Sequence, residues 1–271
     1  YETIFTGKGT YGILAVRNKA DLTLDGITLR DAVVNEALFA KDGFYGAALY
    51  VAMNTTVTNK TEEFFPRVRI NNCRFINNKE TVSLSGDYGC GSAINLATGK
   101  VYVDNTLFSG NVSYNRGMIH AASAGVQAGT CLFMNNCRFT GNSLAADQYG
   151  IVIRSLNVNT KVALNGCSFG KNSPNSKGDA PVCISSPCVF VNNTVIEDAS
   201  NPYKSNVGIY RMASITDVEA VLANNLIMDE SNVEDSFYWA KGTNGEKFQF
   251  KSLSNLCGPQ RNMAFGCVMT D

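Results

Sequence analysis

The chain is 271 residues long, 45% hydrophobic, and carries 23 basic and 23 acidic residues with a single histidine. The cancelled charge leaves no electrostatic footprint for nucleic acid or an anionic membrane, and no basic run supplies one locally. No apolar stretch approaches the roughly 18 residues of a membrane-spanning helix, so no transmembrane segment is expected.

The opening "YETIFTGKGTYGIL" is already strand-like, and any export signal is expected to lie outside this chain. From residue 24 one short pattern recurs: "LDGITLRDA" at 24, "INNCRFINN" at 70, "VDNTLFSGN" at 103, "MNNCRFTGN" at 134, "LNGCSFGKN" at 164, "VNNTVIEDA" at 191 and "ANNLIMDES" at 223. The spacings are 46, 33, 31, 30, 27 and 32 residues. A period near thirty marks a stacked repeat, in which each unit is one supersecondary element that buries its apolar face on its neighbours.

Aligned on the first residue, position two is Asp or Asn throughout, from Asp25 to Asn192 and Asn224. Position three is Gly or Asn, from Gly26 to Asn193 and Asn225. These residue types tolerate φ > 0, so the column predicts a tight left-handed turn. Positions one, four and six are apolar or small, position six reading Leu29, Phe75, Phe108, Phe139, Phe169, Ile196 and Met228. Alternation on both sides of the turn predicts two short strands facing one interior.

A further strand precedes each turn: "GAALYV" at 46, "GSAINLA" at 91, "GMIHAA" at 117, "GIVIRS" at 150, "PVCISS" at 181 and "GIYRMA" at 208. Three short strands per unit with aligned columns predict an all-β fold, a right-handed single-stranded parallel β-helix of about seven coils that rise about 4.8 Å each. A hairpin meander would not repeat its column identities only once in three strands. Residues 1–232 form the repeat region. Residues 233–271 are read as a C-terminal cap of the same domain, with a hairpin turning at Asn244-Gly245 and Phe248 and Phe250 alternating along one arm.

The nine cysteines sort by position. Cys73, Cys137 and Cys167 fall in an inward column as buried thiols; Cys73 and Cys137, about 10 Å apart, are too distant to bridge. Cys183 with Cys188, and Cys257 with Cys267, are candidate disulfides in an oxidising compartment. No Cys-x-x-Cys or His-Cys cluster predicts zinc.

Four units read Phe-x-x-Asn, at Phe75–Asn78, Phe108–Asn111, Phe139–Asn142 and Phe169–Asn172, and "GAAL" and "GSAI" precede two of them. This resembles the FxxN and GGA[ILV] repeats of chlamydial polymorphic membrane proteins and, more broadly, secreted bacterial β-helix proteins of the pectin-lyase-like fold. The likeness covers about residues 6 to 232. It implies a secreted or surface-attached bacterial protein: a glycan-handling enzyme, an adhesin or a structural module. Lyases of this fold use an Arg or Lys base with calcium. Here "FFPRVR" places Phe64 where the first Arg of their Arg-x-Pro-x-x-Arg segment would stand, and His120 is not between glycines as in the polygalacturonases.

The acids Glu62, Glu63, Asp42 and Asp87 near the early insertions are the residues from which a calcium or catalytic site could assemble. The outward positions are more informative. If Leu49, Ile94, Ile119 and Ile153 point inward, Tyr50, Asn95, His120 and Arg154 form an outward row continued by Arg211, on the face that lines the substrate groove in pectin-lyase-like enzymes. By the same alternation Arg69, Tyr102, Phe133 and Phe190 face outward on the next sheet, where aromatic rings could stack on sugars. The first reading is therefore a surface β-helix that binds an extended ligand, a polysaccharide or surface glycan, without catalysis and without a cofactor or metal. The alternatives are a polysaccharide lyase or glycoside hydrolase, with Ca2+ only in that case, and a structural stalk or adhesin module.

Overall fold

The structure is a computed structural model that describes residues 2–35, 46–53, 61–81, 91–114, 117–121, 129–145, 151–155, 159–173, 182–184, 186–197, 209–211, 220–229, 237–239, 250–253 and 256–257. Among them there is no α-helix, only one short 3-10 turn at Glu62–Phe64. The strands build sheets of 8, 8, 9 and 4 members, numbered 1 to 4 below. Sheet 1 runs from Leu14–Arg17 through Leu49–Ala52, Ile94–Leu96, Ile119–Ala121, Ile153–Ser155, Val182–Ile184 and Ile209–Arg211 to Phe237–Trp239. Sheet 2 holds Asp21–Asp25, Arg67–Asn71, Lys100–Asp104, Thr130–Asn135, Thr160–Asn165, Cys188–Val191, Ala220–Ala223 and Phe250–Leu253.

The chain passes from sheet 1 to 2 to 3 and returns, and each strand pairs in parallel with its counterparts one unit away. The result is an all-β, all-parallel stack of sheets, compatible with a parallel β-helix. Leu24, Ile70, Val103, Met134 and Leu164 are successive register partners, as the repeat predicts. The turn column has φ of 65° at Gly26, 54° at Asn72, 46° at Asn105, 51° at Asn136 and 63° at Gly166, which is why only Gly and Asn occur there.

The register slips by one residue between the fifth and sixth units. Leu164 pairs with Phe190 rather than Val191, after which the expected spacing is kept, with Val191 beside Ala223 and Phe190 beside Leu222. Phe190 is therefore fully buried and Val189 is outside, the reverse of the sequence reading. A doubled Asn can be read in two frames, and burial of Phe190 and Leu222 selects the frame, because a one-residue shift flips every side chain. Asn192 and Asn224 then supply the left-handed turn, with φ of 55° and 52°, while Val195 replaces Ile196 as the inward residue. Asn193 and Asn225 enter the interior. There Asn193 Nδ2 donates to Leu164 O at 3.1 Å and Asn225 Nδ2 to Phe190 O at 2.8 Å, so the buried amides are satisfied.

The Phe-x-x-Asn units build two interior columns. Phe75, Phe108, Phe139 and Phe169 stack with centroids 4.9, 5.0 and 4.6 Å apart. Asn78, Asn111, Asn142 and Asn172 form an amide ladder, each Nδ2 donating to the carbonyl of the inward residue one unit back: Asn78 to Leu29 O, and Asn111, Asn142 and Asn172 to the O of Phe75, Phe108 and Phe139, the Asn111 bond being 3.0 Å. The residue before each ladder Asn makes a second left-handed corner, at Asn77, Gly110, Gly141 and Lys171. With Asp31 in the first unit, these corners lead into sheet 4, whose two-residue strands Val33–Val34, Lys79–Glu80, Val112–Ser113 and Ser143–Leu144 give four units a fourth strand, while after Lys171 a single bridge joins Ser173 to Ser143. Two residues are too few to show alternation, so three strands per unit were expected.

The segment expected as a hairpin instead extends the stack. Phe237–Trp239 pairs in parallel with Ile209–Arg211, Phe250–Leu253 with Ala220–Ala223, and Leu256–Cys257 with Leu226–Asp229, in three different sheets. The Asn244-Gly245 turn lies outside the described residues. Cys183 and Cys188, candidates for a disulfide, are buried thiols in no disulfide, as are Cys73, Cys131, Cys137 and Cys167. Cys267, the partner proposed for Cys257, lies outside the described residues.

Candidate functional site

The row expected on sheet 1 forms in register: Asn95 is the neighbour of Tyr50 and of His120, and His120 of Arg154. It is not an exposed ledge. Tyr50, Asn95, His120 and Arg154 are 7%, 3%, 2% and 5% exposed, and every residue of the five strands from Leu49–Ala52 to Val182–Ile184 is buried on both faces. His120 Nδ1 lies 3.4 Å from Asn95 Oδ1, and the Arg17 guanidinium sits 5.6 Å from the centre of the Tyr50 ring. Alternation fixes which way a side chain points and not what lies over it. The signal that could have shown the cover is the near-continuous apolar run of "GAALYVA" and "GMIHAA", the mark of strands buried on both faces. Arg211 also leaves the row. Arg154 pairs with Cys183 and Cys183 with Tyr210, so Tyr210 holds the place assigned to Arg211.

Sheet 2 keeps its outer face open. Three outward columns run up it. The central one is Thr23, Arg69, Tyr102, Phe133, Ala163, Val189 and Val221. Tyr102, Phe133 and Val189 are 38%, 37% and 41% exposed. The Tyr102 and Phe133 rings stack at 5.4 Å with 20° between planes. Together with Arg69, Ala163 and the flanking Asn and Asp residues they line a shallow cleft of about 330 Å3.

On one side lies a column of cations, Arg67, Lys100 and, beyond Cys131, Lys161. Lys100 Nζ donates to Glu62 at 2.8 Å. That hydrogen bond and the Lys100 charge, with Lys161 and Arg67 adding to them, hold the Glu62 carboxyl below its usual range despite a small opposing desolvation. Gly129, at φ 102°, lets the carboxylate come this close, since an added Cβ would stand 2.5 Å from Glu62 Oε1. Partial burial and then the Cys131 thiol push the Tyr102 phenol up, which leaves it a neutral hydroxyl at physiological pH.

On the other side runs an exposed amide column. Asn135 Nδ2 donates to Asp104 at 2.9 Å, Asn165 to Asn135 at 2.7 Å and Asn192 to Asn165 at 2.8 Å. Sequence reasoning found Tyr102 and Phe133 and missed Ala163 and Val189, which follow from the same alternation once the register is known. Of the acidic candidates, Glu62 and Glu63 lie in the 3-10 turn, while Asp42 and Asp87 are outside the described residues. Among the described residues no three His, Cys, Asp or Glu side chains gather as metal ligands. No family model, curated protein or solved structure matches the chain.

Proposed function

We propose that the chain belongs to a secreted or surface-attached bacterial β-helix protein that holds an extended polysaccharide along the outer face of sheet 2 without cleaving it. The observation that carries this reading is the exposed, stacked Tyr102–Phe133 pair in a cleft that Asn71, Asp104, Asn135 and Asn165 line on one side, together with Arg69. Apolar rings beside hydrogen-bonding side chains suit a sugar, which has both an apolar C–H face and hydroxyls. The resemblance in the Phe-x-x-Asn units supports the extracellular setting and a right-handed winding of the pectin-lyase-like kind. Eight strands in each of sheets 1 and 2 favour eight windings over seven, the last drawn from the segment first read as a cap.

The test is affinity electrophoresis of the protein through gels containing hydroxyethylcellulose, xylan, mannan or polygalacturonate. At least one gel should retard the wild type, and Tyr102→Ala and Phe133→Ala should each weaken that retardation. Free mobility in all four gels, or retardation untouched by both variants, would overturn the reading. Unsaturated products or new reducing ends on incubation with the same polysaccharides would put a lyase or hydrolase in its place.

A further inference from the structure

The outward ladder of sheet 2 has a missing rung. Arg69, Tyr102, Phe133, Ala163 and Val189 are consecutive neighbours in the central column. Tyr102 and Phe133 cover one face of each other. The second face of Tyr102 turns toward Arg69, and the second face of Phe133 turns toward Ala163, whose methyl is too short to cover it. Two rungs of about 4.8 Å separate Phe133 from Val189, a gap of one ring thickness with van der Waals clearance on both sides.

The flank of this gap is polar in a particular way. A side-chain amide has two N–H donors and two acceptor lone pairs. Within the exposed ladder Asn135 and Asn165 each donate once and accept once. Each therefore retains one donor and one acceptor for a further partner, on adjacent rungs beside the gap. A paired donor and acceptor match a hydroxyl, which both gives and takes a hydrogen bond. An aromatic peptide side chain would use the Phe133 face and leave these amide groups unanswered.

Building on the binding function proposed above, we infer that the gap over Ala163 is a ring subsite that takes one pyranose unit, its C–H face on Phe133 and its hydroxyls on Asn135 and Asn165. The subsite fixes the register of the chain on the sheet, since the stacked pair Tyr102–Phe133 ends there, at Ala163. On the rung before Tyr102 stands the long side chain of Arg69, salt-bridged to Asp21 at 2.7 Å, whereas the rung after Phe133 carries only the Ala163 methyl and is the point of entry.

The experiment refills the gap. Ala163→Tyr completes the stack, so it should raise the melting temperature by about 2–4 °C. It should also weaken retardation in the gel that retards the wild type by about tenfold or more, the factor of about 1.4 kcal/mol. Arg138→Tyr, which adds a ring at an exposed position of sheet 3 away from the cleft, should bind as the wild type does. If Ala163→Tyr lowers the melting temperature, Ala163→Val decides, because it fills the gap without a ring and must also lose binding. Retardation unchanged in the filled variants but lost in Phe133→Ala overturns the subsite and leaves the binding function standing. Free mobility of the wild type in every gel overturns both. Displacement by a tryptophan-containing tripeptide at lower concentration than by free monosaccharides replaces the pyranose with an aromatic peptide.

Discussion

Sheets 1 and 2 are built by the same rule and end with opposite surfaces. Each carries an outward column that alternation predicts, Tyr50–Asn95–His120–Arg154 on sheet 1 and Arg69–Tyr102–Phe133 on sheet 2. On sheet 1 the polar column is at most 7% exposed; on sheet 2 the aromatic column is more than a third exposed at Tyr102 and Phe133. Polarity is thus a poor guide to accessibility in a stacked repeat. A polar row can be structural when it is covered, and an aromatic row can be the working surface when it is not.

The comparison can be tested by truncation on both faces and in the interior between them. The largest effect belongs to the interior: Phe139→Ala should cost about 3–5 kcal/mol in urea unfolding, because it opens a gap in the buried ring column. Arg138→Ala, one residue away and exposed, is its control, expected within about 0.5 kcal/mol of wild type. Next comes sheet 1, where His120→Ala or Arg154→Ala should each cost about 1–3 kcal/mol by stranding buried polar partners. Costs near zero there would mean that the row is as open as that of sheet 2. Phe133→Ala should lose only about 0.5–1.5 kcal/mol, mostly the ring contact with Tyr102, while weakening polysaccharide retention. The smallest effect concerns reactivity. Desolvation pushes the Cys73 and Cys131 thiols up, so the thiolate is scarcer than for an ordinary cysteine at any pH below that raised value. Iodoacetamide should label both slowly in the native protein at pH 8 and readily after denaturation; fast native labelling of Cys131 would show that the outer face of sheet 2 is more open there than its burial indicates.

Gly91 is a further check on how sheet 1 closes. An added Cβ would stand 2.0 Å from Ile94 O and 2.8 Å from Met118 O. Gly91→Ala should therefore destabilise the protein and loosen the sheet 1 face, read as faster hydrogen exchange at Ile94–Leu96. This accounts for the glycine of the "GSAI" segment as a requirement of close backbone packing, a reason independent of any ligand.

The amino-acid sequence by itself determined the repeat, the interior Phe and Cys positions of the first five units and the left-handed corner, because each depends on residue type at a fixed spacing. Asn in a turn and Phe in a core are local choices, visible one unit at a time. The tertiary structure alone decided the frame of Asn192-Asn193 and Asn224-Asn225, the fourth strand, the parallel pairing of Phe237–Trp239, Phe250–Leu253 and Leu256–Cys257, and the cover over Tyr50, Asn95, His120 and Arg154. Those outcomes depend on which apolar neighbour a residue meets one rung away and on what chain lies above a sheet. Both are contacts between residues distant in sequence, and no local pattern encodes them.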